Sequence, residues 1–148
     1  MNVSPDVQEN FFEPVKIHYT ADHNSSFGFF AESSDGNTFD HNDATGNTDG
    51  FFVVFGDENV FDHNVAKGNI WTGFGAWNAN FNTWTKNTAD SNGHYGFALY
   101  GDDGVYCTNN TLSKNAGQSN GEFDAYDQNP PGSNNTWTNN TFGATSGL

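Results

Sequence analysis

The stretch Gly46-Asn47-Thr48-Asp49-Gly50-Phe51-Phe52-Val53-Val54-Phe55-Gly56-Asp57-Glu58-Asn59-Val60-Phe61-Asp62-His63-Asn64-Val65-Ala66-Lys67-Gly68 decides the fold. A β-rich run from Phe51 to Phe55 is followed by a Gly-Asp-Glu turn and a short strand around Asn59 to Asp62. A turn at His63-Asn64 and a brief third segment complete the row. Aromatic and β-branched residues suit a pleated, half-buried surface, whereas Gly, Asn and Asp supply the backbone conformations of turns. Three short strands punctuated in this way within one row describe a single rung of a parallel β-helix.

The row recurs along the chain. Ile17, Phe39, Phe61, Trp84, Tyr106 and Trp137 form one column, and Phe30, Phe52, Phe74, Phe97 and Phe123 form another. Asparagine fills a third, Asn42, Asn64, Asn87, Asn109 and Asn140, and a fourth, Asn47, Asn69, Asn92 and Asn115. A fixed period of this length marks a solenoid in which each repeat is one structural turn. The expected fold is therefore all-β: a right-handed parallel β-helix (β-solenoid) of about six rungs of 22–23 residues. It spans residues 15–148, with residues 1–14 as an irregular N-terminal cap or partial rung and an enlarged loop at 118–133. Asn tolerates left-handed turn conformations, and its amide can bond the same amide one rung away, so both asparagine columns are expected to be structural ladders.

Strand side chains alternate between faces. Phe52 and Val54 share one face with Phe74/Ala76 and Phe97/Leu99 in the rows below, which predicts an inward face. Val53 and Phe55 share the other. That assignment leaves Phe55, Trp77, Tyr100 and Tyr126 as an outer aromatic column, one ring every ~4.8 Å. Beyond it lie acidic turns containing Asp57, Glu58, Asp102, Asp103 and Asp127.

Composition narrows the function classes. The chain has 15 Phe, 4 Trp and 5 Tyr, so its core is expected to be stacked rings and not aliphatic side chains. Eighteen acidic residues face 4 lysines and no arginine, for a net charge of −14 at pH 7. Such a balance repels phosphate backbones and anionic membrane surfaces, which argues against nucleic-acid and membrane partners. No apolar run approaches the ~20 residues of a membrane-spanning helix. The single cysteine, Cys107, aligns with Asp40, Asp62, Thr85 and Thr138 and is expected to be a structural thiol, since no base is paired with it in sequence. An extracellular or cell-surface location is expected, with no signal peptide in this chain.

Rows such as Gly36-Asn37-Thr38-Phe39-Asp40-His41-Asn42 and Asn135-Thr136-Trp137-Thr138-Asn139-Asn140 resemble the repeats of the right-handed parallel β-helix superfamily. That superfamily includes pectate-lyase-like polysaccharide lyases, polygalacturonases, alginate epimerases, phage tailspikes and NosD-like periplasmic proteins. The resemblance covers about residues 15–142 and implies the fold, which does not carry a chemistry with it. The catalytic signatures of those enzymes are incomplete here. The Gly-His-Gly and Arg-x-Lys motifs of polygalacturonases are absent, and Tyr95-Gly96-Phe97 does not complete the epimerase stretch.

Two function classes follow. The first is a β-helix domain that binds a polysaccharide or glycan, or acts as a repeat scaffold, through Phe55, Trp77, Tyr100, Tyr126, Asp124 and Asp127. The alternative is a polysaccharide-active enzyme, a lyase, epimerase or glycoside hydrolase, using His94, Tyr95, Asp102 and Asp103 in the same groove. No cofactor is required; Ca²⁺ is the candidate ion, held by Asp57, Glu58, Asp102 and Asp103. The repeated Asp40-His41-Asn42 and Asp62-His63-Asn64 triplets read as turn chemistry or as imidazole ligands for a transition metal. Open solenoid ends make self-association a further expected partner mode.

Overall fold

A computed structural model describes residues 6–8, 16–17, 19–101 and 104–148. Among them there is no helix, and hence none long and apolar enough to cross a membrane. The chain begins β1 (Asp6–Gln8), β2 (Lys16–Ile17), β3 (Thr20–Asp22), and continues β4 (Phe27–Glu32), β5 (Thr38–Asp40), β6 (Asp43–Thr45). The next turns are β7 (Asp49–Val54), β8 (Val60–Asp62), β9 (Val65–Lys67), then β10 (Thr72–Trp77), β11 (Thr83–Thr85), β12 (Thr88–Asp90). They are followed by β13 (Tyr95–Tyr100), β14 (Thr111–Ser113), β15 (Ala116–Gln118), then β16 (Phe123–Asp127), β17 (Thr136–Thr138), β18 (Thr141–Phe142) and β19 (Thr145–Ser146). Every third strand pairs in parallel, giving a long sheet of seven strands beginning with β1 and two six-stranded sheets beginning with β2 and β3. The parallel β-solenoid expected from the period is the observed architecture. Of the stretch assigned to an N-terminal cap or partial rung, only residues 6–8 are described, and they pair with β4 as a rung strand does.

The lumen is built by size. On the long sheet Phe29, Phe51, Phe74 and Phe97 stack with centroids 4.6, 4.8 and 4.9 Å apart. On the second sheet Phe39, Phe61 and Trp84 stack at 4.8 and 5.3 Å. The two stacks meet edge to face, Phe29 on Phe39 and Phe51 on Phe61, each at 6.3 Å, an arrangement favoured by the ring quadrupole. Two columns of large rings leave little width, so the third sheet contributes Ala21, Ala44, Ala66 and Ala89. At the last rung the sizes exchange sides. Ala125 replaces phenylalanine on the long sheet, and Phe142 enters from the third, 5.5 Å from Phe97 and 6.0 Å from Trp137.

This packing overturns the expected inward face. Phe51 and Val53 are buried in the lumen, while Phe52 and Val54 point outward. The turn before Asp49 has one residue fewer than the turns before Thr72 and Tyr95, so Phe74 pairs with Phe51 and not with Phe52. A shift of one residue moves a side chain to the opposite face, and two adjacent phenylalanines gave the sequence no means of registering it. Two further column members change. Leu112, not Tyr106, joins Phe61 and Trp84, and Ser113, not Cys107, follows Thr85. Cys107 is nonetheless a buried core thiol, and burial pushes it up to about 12.

Three asparagine ladders hold the turns. One runs Asn42, Asn64, Asn87, Asn115, Asn140; another runs Asn24, Asn47, Asn69, Asn92, Asn120. The third, Asn37, Asn59, Asn82, Asn110, Asn135, was not expected from the columns. Asn109 belongs to none of these three, and Asn115 sits in the first. The cause is rung length. Asn82 to Asn110 spans 28 residues against 23 for Asn59 to Asn82, so the extra residues lie after Tyr100, at 101–109. A smaller expansion follows Asp127, since Asn110 to Asn135 spans 25. Within the loop expected at 118–133, residues 118 and 123–127 occupy ordinary strand positions in β15 and β16.

Asn64 shows how an interior ladder amide is used. Asn64 Oδ1 accepts from the backbone N–H of Asn42 at 2.8 Å and from its Nδ2 at 3.0 Å. Asn64 Nδ2 donates to the Phe39 carbonyl at 2.8 Å and to Asn87 Oδ1 at 3.0 Å. Removing this side chain breaks four buried hydrogen bonds; Asn87 Oδ1 keeps the Asn64 backbone N–H, and each of the other groups left unpaired costs roughly 1–3 kcal/mol before relaxation. Asn64→Ala is expected to lose at least about 3 kcal/mol in urea unfolding, whereas Thr111→Ala, on an exposed strand position, stays within about 0.5 kcal/mol.

Candidate functional site

The outer face of the long sheet is set by three columns of paired residues. The first runs Phe27, Asp49, Thr72, Tyr95, Phe123. The second runs Phe30, Phe52, Gly75, Ala98, Tyr126, and the third Glu32, Val54, Trp77, Tyr100. The middle column falls to glycine and alanine between two aromatic rings, and the face becomes concave there. A Cβ on Gly75 would lie 2.4 Å from the Phe52 ring, so glycine at this position is what lets Phe52 lie flat. The result is an open groove of about 570 Å³ lined by Asp49, Phe52, Trp71, Thr72, Trp77, Tyr95 and Tyr100, with Gly101 and Gln128 at one end.

Tyr100 crosses the floor. Its ring stacks on Phe52 at 5.9 Å, and its hydroxyl shares a 2.8 Å hydrogen bond with Thr72 Oγ1. Tyr126 stacks on Tyr95 at 4.9 Å. At the rim Trp71 stacks on His94 at 4.5 Å, and Glu122 receives both His94 Nδ1 (2.6 Å) and the Tyr95 hydroxyl (3.0 Å). Trp71 stands proud, 53% exposed, at the turn from the third sheet to the long one.

Asp49 is the carboxylate of this groove. Burial among aromatic rings raises it above the usual carboxylate range, opposed by the Thr72 amide, which donates to Asp49 Oδ1 at 3.0 Å. Burial likewise raises Tyr95, to about 12, with the hydrogen bond to Glu122 adding to it, and holds Tyr100 well above the ordinary phenol range. Glu122 is shifted down, first by the hydrogen bond from His94 and then by that from Tyr95.

Of the residues expected in a ligand site, His94, Tyr95, Trp77, Tyr100 and Tyr126 cluster here. The expected straight aromatic column is bent. Trp77 and Tyr100 are paired neighbours, but Tyr126 pairs with Ala98, and Phe55 lies beyond the end of β7 in a left-handed turn with its ring 5.1 Å from Trp77. Asp124 and Asp127 are buried at the ends of two ladders. Asp124 accepts from Asn120 and from the Gly143 and Ala144 amides. Burial pushes its carboxyl up and these bonds outweigh that, for a net downward shift. Asp127 accepts from Asn129 and from Trp137 Nε1 at 3.0 Å. Asp57 Oδ1 accepts from Asn80 at 2.7 and 3.2 Å as part of an outer polar ladder, with Glu58 exposed beside it. Asp102 and Asp103 lie outside the described residues. Among the described residues the group with the spacing of a metal site is elsewhere, Asp40, His41 and His63. Asp49, Thr72, Trp71 and Glu122 were missed; a polar residue at the Asp49 position is visible in the sequence only once Phe27, Thr72 and Tyr95 are known to be its neighbours.

With this geometry in place the comparisons carry a single result. Residues 8–147 match a protein family described as the right-handed β-helix region. The chain belongs to that family. No curated protein and no solved structure matches it. Family membership confirms the resemblance read from the asparagine-rich rows and establishes a right-handed β-solenoid scaffold.

Because Asp49 is raised, the folded chain keeps its proton to higher pH than the unfolded chain does. Its contribution to stability is therefore fullest in acid and falls as pH rises through the raised value. Asp49→Asn keeps an oxygen to accept from Thr72 and removes the charge. The variant is expected to gain urea resistance relative to the parent between about pH 4 and about pH 7, a difference that urea midpoints at both pH values measure directly.

Proposed function

We propose that the protein binds a neutral polysaccharide along the aromatic groove of the long sheet. The carrying observation is the groove's make-up: five aromatic side chains, one hydroxyl pair, one desolvated carboxyl and, among the described residues, no lysine in its lining. Sugar rings present apolar C–H faces that stack on aromatic planes, while their hydroxyls need a few convergent acceptors and donors. Trp77 and Trp71 supply faces, Asp49 accepts, and the Tyr100–Thr72 pair both donates and accepts.

Charge selects among glycans. A polyuronate or sulfated chain would bring anions beside Asp49 and Glu122 on a protein of net charge −14, with no arginine anywhere to pair them. Placing like charges across an interface costs affinity, so the groove favours uncharged hexose polymers. Titration calorimetry and affinity electrophoresis should give binding to members of a panel of neutral glucans, mannans, galactans and chito-oligosaccharides, and none to polygalacturonate or alginate. Trp77→Ala, which removes a stacking face worth about 0.5–1.5 kcal/mol, should weaken binding roughly two- to tenfold. Failure to bind any neutral glycan would overturn the binding reading. Equal binding of polyuronates would overturn its selectivity.

A second reading, cleavage of the same chain, is favoured by one observation: two carboxyls displaced in opposite directions, Asp49 up and Glu122 down, reach this groove and its rim. Cleavage predicts new reducing ends that disappear in Asp49→Asn while binding persists.

A further inference from the structure

A second constellation stands on a different corner of the solenoid, at the turn between the second and third sheets. Asp40 pairs with Asp62 across β5 and β8, and the next residues, His41 and His63, both adopt left-handed turns with φ of 57° and 53°. Equal backbone conformation one rung apart directs the two side chains the same way. Their rings stack at 4.7 Å and 10°.

Each imidazole has a carboxylate of its own. Asp40 Oδ1 lies 2.6 Å from His41 Nδ1, and Asp62 Oδ2 lies 2.9 Å from His63 Nδ1. The two contacts differ in quality. His63 Nδ1 is shut off from solvent and makes no hydrogen bond, although an Asp62 oxygen lies 2.9 Å away. A buried ring nitrogen without a hydrogen bond is costly in a neutral site and is what a metal ligand looks like without its ion. The side chains remain reachable, with 62% of His41 and 37% of His63 exposed.

We propose that Asp40, His41 and His63 form a binding site for a borderline divalent transition ion of the Zn²⁺ type. One donor atom from each lies within 4.8 Å of the other two. Zinc–nitrogen bonds of about 2.0–2.1 Å at a tetrahedral angle place two imidazole nitrogens about 3.3 Å apart, so the two stacked rings tilt toward each other, closing their donor atoms by roughly an ångström or more, when they take one ion. Two nitrogens and one carboxylate oxygen select this class of ion over Ca²⁺, which takes oxygen ligands. Beyond His63 the next rung places Lys86 at the same position, also left-handed with φ of 55°, so among the described residues the stack is two imidazoles long, and water would complete the coordination of the ion.

His23 gives an internal control. It belongs to the same kind of triplet, Asp22-His23-Asn24, with Nδ1 2.5 Å from Asp22 Oδ1, but it lies on another corner and is not one of the three clustered residues. The test uses the whole chain, stripped with a chelator and titrated with Zn²⁺ by calorimetry and with Co²⁺ by visible absorption. One ion per chain and the intense bands of four-coordinate Co²⁺ are expected. His41→Asn and His63→Asn, which suit a left-handed turn while removing the imidazole, should each lower affinity at least tenfold, and His23→Asn should leave it unchanged. Absence of Zn²⁺ binding by the parent chain overturns the site, and so does binding that survives both substitutions or that falls equally with His23→Asn.

Discussion

The asparagine-to-backbone hydrogen bond is the constraint on which this molecule depends. At each corner the chain must turn sharply, and a sharp turn leaves buried backbone groups without strand partners. One Asn per corner supplies an acceptor for an amide and a donor for a carbonyl of the preceding rung, as Asn87 does with Asn64 and Phe61. The amide of one rung therefore completes its neighbour's turn, and the geometry of one turn dictates the next. The ends of the ladders obey the same requirement. Asp124 takes the place of an asparagine oxygen for Asn120, and Asp127 does so for Asn129 and Asn135.

Fixed turns make equal side chains fall one above another, and stacking then works in proportion to size. Lumen rings sit close to the strand spacing because neighbouring rungs differ by little more than a translation. Two aromatic columns fit only because the third sheet is alanine. The same logic acts on the corner leading into the long sheet, where Gly28, Gly50 and Gly73 each face the carbonyl of the glycine on the next rung. A Cβ at Gly50 would stand 2.5 Å from the Gly73 oxygen. Where that column reaches Asp124, the side chain is absorbed only because it serves as a ladder end.

Much of the architecture was legible in the sequence, since a period read from Phe39, Phe61 and Trp84 depends only on equal residues recurring at equal steps. The three strands per rung, the ladder principle and the family follow from it. The face of the long sheet was not legible. Phe51 and Phe52 are chemically identical neighbours, and their assignment turns on one residue fewer in the turn before Asp49. The third ladder was hidden for a related reason: five extra residues after Tyr100 shift Asn110 and Asn115 against any fixed ruler. The candidate groove was half legible. Trp77, Tyr95 and Tyr100 were visible as aromatics, but Asp49 and Glu122 become groove and rim carboxyls only through cross-rung pairing with Thr72 and Tyr95.

Departures from the repeat are what give the solenoid its chemistry. A run of identical rungs would present a flat ribbed surface, and the long sheet is concave only where Gly75 and Ala98 interrupt a column of rings. The extra residue in the turn before Thr72 pushes Trp71 out beside that hollow, and the same lengthened turn in the next two rungs carries His94 and Glu122. The imidazole pair shows the opposite case. There the repeat is kept for two rungs, so His41 and His63 coincide in direction, and Lys86 ends the run. A broken column makes a groove for an extended ligand, and a short unbroken one makes a point site for an ion. Both come from single-residue choices against a backbone whose turns the asparagines have already fixed.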